Sequence, residues 1–231
     1  MLCCVLAGLL IGWAASRVFA KNGTYTITFC ETTDTHGAYF DSLYVGDSTN
    51  PTSFSNVSAY LRQIREAGIK PVLIDAGDNL QGDNAAYYYN FVDTSGTHLV
   101  PQIFEYLGYD AVVVGNHDIE PGHPVYDKIR KEMKIPYLAA NALTEDGKAY
   151  FQEYKLIKRD GIRIAIIGMT NANIKSWLAE DKWSGLEFKQ ISTMAQDVVD
   201  RVVRKTRPHV VVLAVHSGKG DGSADIEKNK K

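Results

Sequence analysis

Four short segments of the chain combine carboxylate, amide and imidazole side chains with glycine. They lie at residues 33–37, 75–79, 115–118 and 216–218. A set of oxygen and imidazole ligands without thiolates is typical of catalytic Mn, Zn, Fe or Co sites rather than of a thiolate-type structural zinc site. If the fold brings the four segments together, they predict a centre for divalent metal ions.

Each segment follows an apolar stretch that predicts a β-strand. The predicted strands are 24–32, 71–76, 111–114 and 210–215. Helical periodicity lies between them at 57–64, 100–107, 124–133 and 191–204. Residues 154–158 and 162–167 flank an Asp-Gly pair, which is typical of a hairpin. The alternation predicts an α/β fold with a layered β-sheet core flanked by helices.

In open α/β sheets, ligands bind outside the carboxyl ends of the strands, so the four segments are expected to meet at one edge. Asp34 and His36 are two residues apart, and on an extended segment their side chains point to the same side. Asp78 could bridge two ions through its two oxygens. Asn116 and His216 offer an amide oxygen and an imidazole to the second ion. A single Asp-x-His pair is usually a surface feature, so the prediction depends on the combination.

In this order, Asp-x-His, Gly-Asp, Gly-Asn-His-Asp and a strand-ending His resemble the motifs of the calcineurin-like metallophosphoesterase superfamily. The phrase Gly-Asp-Asn-Leu-Gln-Gly at 77–82 resembles its 5′-nucleotidase family. Protein Ser/Thr phosphatases carry Asp-Arg-Gly there instead. The resemblance extends over residues 24–216. It implies the calcineurin-like fold and phosphoester hydrolysis with two divalent metal ions (Mn, Zn, Fe or Co).

The resemblance also implies a role for each matching residue. The implied ligands are Asp34 and His36 for the first ion, Asp78 between the two ions, and Asn116 and His216 for the second. His117 is implied to contact the phosphoryl group and to stabilise its transition state. Glu120 stands where this family usually has an Asp, so we expect it to support His117 with a side chain one methylene longer.

In the family, a Gly-His-x-His segment follows the strand-ending His, and a C-terminal domain encloses the nucleoside base. The chain has six histidines, and none of them follows His216. His98 and His123 are expected to be exposed near helix starts. We therefore expect a truncated metallophosphoesterase domain at 21–231, without its C-terminal part and substrate-binding domain. We expect little phosphatase activity from this chain alone.

The first twenty residues differ in character from the rest and predict a secretory signal peptide at 1–20. Residues 2–15 are almost wholly apolar, and Val18-Phe19-Ala20 approximates a small-residue cleavage site. An uncleaved anchor and a buried N-terminal helix are the alternatives. The signal predicts a secreted, periplasmic or cell-surface protein with no transmembrane span in the mature chain. The net charge of −2 and the lack of dense Lys/Arg runs predict no nucleic-acid-binding surface.

The resemblance to the 5′-nucleotidase family implies an enzyme that hydrolyses nucleoside 5′-monophosphates at a dinuclear metal centre. Two other hypotheses stand beside it. A 2′,3′-cyclic-nucleotide 2′-phosphodiesterase with 3′-nucleotidase activity shares the same metal motifs. A non-catalytic remnant would bind metal without turnover. The tyrosine run at 87–89 either lines a substrate cleft or forms a buried or half-buried face of a helix.

Overall fold

Two β-sheets lie face to face at the centre of the molecule, and helices cover their outer faces. The computed structural model describes residues 24–43 and 48–218, so the predicted signal peptide lies outside the described residues. The first sheet contains the parallel strands β1 (Phe29–Thr32), β4 (Val72–Asp75), β5 (Ala111–Val113) and β6 (Tyr137–Leu138), in that order. The predicted layered α/β fold is confirmed.

The second sheet has β9 (Ile162–Met169) at its centre, with β11 (Val210–Val215) parallel on one side and β8 (Tyr154–Arg159) antiparallel on the other. Two short antiparallel pairs complete the strands: β2 (Ser42–Leu43) with β3 (Ser48–Thr49), and β7 (Ala142–Thr144) with β10 (Leu186–Phe188). The predicted hairpin is confirmed between β8 and β9. Asp160 and Gly161 form its turn with φ of 48° and 88°, the left-handed conformations that a type I′ turn requires.

The helices are α1 (Phe54–Glu66), α2 (Asn84–Tyr87), α3 (Leu99–Leu107), α4 (Asn116–Ile119), α5 (His123–Glu132), α6 (Ile174–Trp177), α7 (Glu180–Trp183) and α8 (Ile191–Thr206). A π-helical turn, Tyr88–Val92, follows α2 directly. Tyr87 is 63% exposed, so the interpretation of the tyrosine run as a buried helix face is wrong at Tyr87. Within residues 24–43 and 48–218, none of the helices combines the length and apolar character that crossing a bilayer requires.

The apolar core has three layers, because each central strand sends alternate side chains to opposite faces. Val72 and Ile74 of β4 pack between the sheets with Ile164 and Ile166 of β9. Leu73, between them, faces the helical layer formed mainly by α1, α3 and α5. All four residues of β4 are buried, which explains its wholly apolar run before the terminal aspartate.

Two predicted strands differ from expectation. β1 begins at Phe29 rather than at residue 24, because its partner β4 begins at Val72, the residue that pairs with Phe29. β11 has the predicted bounds but lies at the edge of its sheet. Its alternate side chains Val211 and Leu213 are therefore more than a third exposed, although the strand is apolar throughout.

The expectation that His98 is exposed is wrong. Its ring is 1% exposed, and its Nδ1 accepts the Val100 N–H at 3.1 Å to cap α3. Because Nδ1 accepts, Nε2 carries the hydrogen and donates to Asn90 Oδ1 at 3.1 Å. Asn90 in turn donates to the carbonyl of Leu80 at 2.7 Å, in the loop after β4. The buried imidazole is thus part of a polar network that reaches this loop.

This network predicts an acid-dependent loss of stability. Burial, with a smaller contribution from the charge of Lys128, lowers the pKa of His98 to about 4. In the unfolded chain its pKa is about 6.5. The stabilisation is therefore complete above pH 6.5 and is lost as the pH falls towards 4, because the unfolded state takes up the proton first. We expect the contribution of His98 to the free energy of unfolding to be about 2 kcal/mol smaller at pH 5 than at pH 7.

Urea unfolding at both pH values measures this change. His98→Gln should reduce the difference between pH 5 and pH 7, whereas His209→Gln, which removes an exposed imidazole, is the matched control. An equal pH difference in the wild type and in His98→Gln would contradict the prediction.

Candidate metal centre

The four predicted segments meet at the carboxyl ends of β1, β4, β5 and β11. The loops that follow β1 and β4 run side by side. The Asp34 N–H donates to the Gly77 carbonyl at 2.9 Å, and the His36 N–H donates to the Asp78 carbonyl at 2.9 Å. The second sheet contributes His216, which follows β11 directly. The expected convergence at one edge is confirmed.

The structure brings all five predicted metal ligands into one cluster. Ligand atoms of Asp34, Asp78 and His216 all lie within 4.8 Å of one another. His36 Nε2 lies 3.8 Å from an Asp34 oxygen, and Asn116 Oδ1 lies 3.1 Å from His216 Nε2. Asp78 and His216 are buried at the floor of the cluster, whereas Asp34 is exposed at its rim.

The expectation that Asp34 and His36 lie on an extended segment is wrong. The chain turns as soon as β1 ends, and the two residues have φ of 51° and 47°. Asp78 also has a left-handed backbone, with φ of 64°. Such a conformation costs a non-glycine residue on the order of 1–3 kcal/mol and persists only where surrounding structure enforces it. Here the backbone hydrogen bonds between the two loops enforce it.

Three lone-pair-bearing atoms meet at the floor of the cluster. His216 Nδ1 bonds to the Ala76 carbonyl at 2.8 Å, so Nδ1 carries the hydrogen. Its Nε2 lies 3.2 Å from Asp78 Oδ2 and 3.1 Å from Asn116 Oδ1. If the His216 ring were neutral, its Nε2 would direct a lone pair at these two oxygens, which are themselves acceptors. This point therefore requires a cation, either a proton on His216 or a metal ion, and the residues fit a divalent ion.

The pKa values of His216 and Asp78 agree with the need for a cation between them. Burial alone would lower the pKa of His216, but its bond to Asp78 outweighs burial and raises the pKa to about 9. Burial alone would raise the pKa of Asp78, but His216 and the His117 N–H lower it below its usual value. The two side chains form an ion pair when only a proton is present. A metal ligand must be deprotonated, so a metal ion would displace that proton.

His36 is oriented by Gln81, a residue that the sequence analysis did not assign. His36 Nδ1 lies 3.2 Å from both the carbonyl oxygen and the side-chain Oε1 of Gln81. A ring hydrogen on Nδ1 satisfies these acceptors and leaves Nε2, the atom nearest Asp34, free to bind a metal. The only sequence signal for Gln81 is its place in the 77–82 phrase.

His117 and Glu120 lie beside the cluster and contact each other. The His117 N–H donates to Asp78 Oδ1 at 2.8 Å, and its ring lies 5.3 Å from the ring of His36, centre to centre. His117 Nδ1 bonds to Glu120 Oε2. Glu120 caps the C-terminus of α4 with helical backbone angles, so its side chain lies on the same face as that of His117, three residues earlier. With Nδ1 engaged, Nε2 is the ring nitrogen that can approach a substrate.

Two buried carboxylates hold the loops around the centre. Asp75 and Asp118 flank predicted ligands in the sequence, which is consistent with two roles: orienting those ligands or making simple loop hydrogen bonds. Asp118 is fully buried and accepts four backbone N–H groups: Asp78 at 3.0 Å, Asn79 at 2.8 Å, Leu80 at 3.1 Å and Gly115 at 2.8 Å. Asp75 accepts the Thr32 hydroxyl, the Gly77 N–H and the Asn79 amide at 2.6, 2.9 and 2.7 Å. Burial raises the pKa of Asp75 to about 7.

Two glycines allow the loops to come this close. A side chain at Gly115 would place its Cβ 2.1 Å from Asp78 Oδ1, and one at Gly77 would place its Cβ 2.6 Å from the Gly115 nitrogen. Gly77 also has φ of 102°, which only glycine adopts readily. A larger residue at Gly115 would displace the Asp78 carboxylate, and one at Gly77 would push the two loops apart.

Among curated proteins, the chain resembles the protein UshA of Yersinia enterocolitica, with 27% identity over 91% of this chain and 37% of the relative. A 5′-nucleotidase of Vibrio cholerae is 24% identical over 89% of this chain and 36% of the relative. A 2′,3′-cyclic-nucleotide 2′-phosphodiesterase/3′-nucleotidase of Yersinia enterocolitica is 27% identical over 93% and 34%. The chain thus spans little more than a third of the length of these relatives.

A solved structure and a family model also match this chain. The crystal structure of the calcineurin-like phosphoesterase YfkN from Bacillus subtilis superposes with a TM-score of 0.76, over 85% of this chain and 64% of that one. At 21% identity this likeness shows the fold. The family model described as calcineurin-like phosphoesterase matches residues 27–225. The chain therefore belongs to the calcineurin-like phosphoesterase family.

Proposed function

We propose that this protein hydrolyses nucleoside 5′-monophosphates to nucleoside and phosphate at a centre of two divalent metal ions. The observation that carries the proposal is the point between Asp78, Asn116 and His216 that requires a cation, with Asp34 and His36 beside it. The similarity to a 5′-nucleotidase supports nucleotides as the substrate class.

Each ligand has a place in the proposed centre. Asp34 Oδ1 and His36 Nε2 would hold the first ion, and Asn116 Oδ1 and His216 Nε2 would hold the second. Asp78 lies between the two groups, so its carboxylate could serve both ions. Mn, Zn, Fe or Co suits this oxygen and imidazole set.

The neighbouring residues position the substrate. When bound, two ions would supply an activated water and offset the charge of the phosphate and of the leaving oxygen. His117 donates from Nε2 to a phosphoryl oxygen and stabilises the charge that develops there. Glu120 accepts a hydrogen bond from Nδ1 and holds the imidazole in its orientation. Transfer of a phosphoryl group needs mainly such positioning and charge stabilisation.

We further propose that residues 1–20 are removed as a signal peptide and that residues 21–231 act as a metallophosphoesterase domain outside the cytoplasm. Nucleotides released outside a cell are substrates that such an enzyme would meet. N-terminal sequencing of the secreted protein tests this proposal. A mature chain that retains Met1 would contradict it.

Relative rates on three substrates test the proposed reaction. With Mn or Zn added, adenosine 5′-monophosphate should be hydrolysed faster than adenosine 3′-monophosphate and 2′,3′-cyclic adenosine monophosphate. The similarity to a cyclic phosphodiesterase makes the reverse order the second candidate function. Phosphate release measures the rates, and the ratio decides between the two functions even where absolute turnover is small.

Metal binding tests the bridging role of Asp78. We expect Asp78→Ala to remove more divalent-metal binding than any other single ligand change, because its carboxylate serves both ions. Asp34→Ala should weaken only one of the two sites. Asp146→Ala removes an exposed carboxylate far along the chain and is the control. Calorimetry with Mn measures the isotherms, and an unchanged isotherm for Asp78→Ala would rule out the shared carboxylate.

The roles of His117 and Glu120 predict a separation of turnover from metal content. In a restored full-length enzyme, His117→Asn should lower kcat by about 10²–10³-fold, the usual cost of losing one positioned donor, with little change in bound metal. Glu120→Gln should cost less, because an amide still bonds to Nδ1. Steady-state kinetics and metal analysis on the same preparations provide the measurement. Loss of metal in step with activity would show that His117 is a ligand instead.

A further inference from the structure

The loop after β1 carries Asp34 and His36, and the residue between them holds this loop by its side chain. The hydroxyl of that residue, Thr35, donates to Asn79 Oδ1 in the loop after β4, at 2.6 Å. Asp34 and His36 both have left-handed backbone, which relaxes towards ordinary φ values unless its surroundings prevent it. The bond of Thr35 opposes that relaxation at the point between the two ligands.

Asn79, the acceptor of this bond, is itself firmly held. It is 2% exposed, and its Nδ2 donates to Asp75 Oδ1 at 2.7 Å. Its N–H donates to Asp118 Oδ1 at 2.8 Å, and its carbonyl accepts the hydroxyl of Tyr39, in the loop after β1, at 3.0 Å. Asn79 therefore connects the loop after β1 to both of the buried carboxylates that organise the centre.

The Asp75 carboxylate determines which way the Asn79 amide points. Asp75 Oδ1 also accepts the Gly77 N–H at 2.9 Å, so this oxygen acts as an acceptor. The amide must turn its NH₂ group towards Asp75 and its oxygen towards Thr35. The bonds of the side-chain series Thr35–Asn79–Asp75 thus run in one direction, and each polar group in it has a defined role.

The two ends of this series differ in which metal ligands they reach. Thr35 lies directly between Asp34 and His36, the ligands proposed for the first ion, whereas Asn79 follows the shared ligand Asp78. The His216 ring, proposed to hold the second ion, bonds instead to the carbonyl of Ala76. Loss of the Thr35 hydroxyl should therefore affect the first ion rather than the second.

We propose that Thr35 and Asn79 are positioning residues for the first metal ion. The Thr35 hydroxyl is engaged by Asn79, so it acts on the ion through the placement of Asp34 and His36. The proposal rests on the proposed function for the presence of the metal ions only. It requires neither a nucleotide nor turnover.

Titration of the metal-free protein with Mn²⁺ in a calorimeter tests the proposal. Asp34→Ala identifies the binding step that belongs to the first ion. Thr35→Val keeps the shape of the side chain and removes its hydroxyl, and it should weaken that same step by about tenfold, as loss of a residue that orients metal ligands does. Thr35→Ser supplies a hydroxyl again and should restore the affinity of the wild type.

Two further variants show whether the effect belongs to the bond with Asn79. In an Asn79→Leu background, Thr35→Val should cost no additional Mn²⁺ affinity, because the acceptor of the hydroxyl is already gone. Thr52→Val is the matched control, since it breaks an exposed bond of the same kind, from Thr52 Oγ1 to Asn50 Oδ1 at 2.8 Å, outside both loops. It should leave Mn²⁺ binding unchanged.

The outcomes separate this proposal from the proposed reaction. Wild-type affinity in Thr35→Val, or a loss that Thr35→Ser does not restore, would overturn the proposal. Equal weakening of both ions would overturn it as well, because the whole centre would then have loosened, and so would a wild type that binds no Mn²⁺. If the expected losses appear while nucleoside 5′-monophosphates are not hydrolysed, the proposal stands and the proposed reaction fails.

Discussion

The candidate metal centre depends on one buried carboxylate, that of Asp118. A buried ion without partners is strongly unfavourable, so its four backbone hydrogen bonds are obligatory for the fold. Three of the donors belong to the loop after β4 and one to the loop after β5. The anion therefore holds two loops together that no β-ladder connects. Because Asp78 belongs to the first loop and Asn116 follows the second, Asp118 sets the separation of both ligands without touching the cation position.

The loops that Asp118 and Asp75 organise contain strained residues. Three of the five non-glycine residues with left-handed backbone in the described chain are Asp34, His36 and Asp78. Their side chains also place two carboxylates and an imidazole close together, which is unfavourable until a cation arrives. The surrounding hydrogen bonds and the packing of the buried strands β4 and β5 offset both the backbone strain and the repulsion between the carboxylates. A preformed site of this kind binds metal without first having to order its ligands.

Much of this site could be predicted from residue types, because parallel strands end at a common edge and their following residues must then meet. Asp34, Asp78, Asn116 and His216 were predictable for that reason. The left-handed turn at Asp34 and His36 was not, since backbone conformation there follows from hydrogen bonds to a loop distant in sequence. Gln81 was missed for the same reason, and the sequence could not decide whether Asp118 orients the ligands or only makes loop hydrogen bonds. A side chain that binds backbone atoms or a neighbouring ligand has no spacing pattern of its own, and burial of His98 likewise follows from tertiary packing.

His216 connects the centre to the second sheet. It follows β11, yet its Nδ1 donates to the Ala76 carbonyl at the end of β4, and its Nε2 faces Asn116 after β5. Apolar packing between the sheets is non-directional and does not by itself fix how far one sheet slides along the other. The imidazole adds the directional contact at the edge where the ligands meet. A cation held by His216 and Asp78 would therefore join the two sheets, and its binding free energy would add to the stability of the packed sheets as well as to the site.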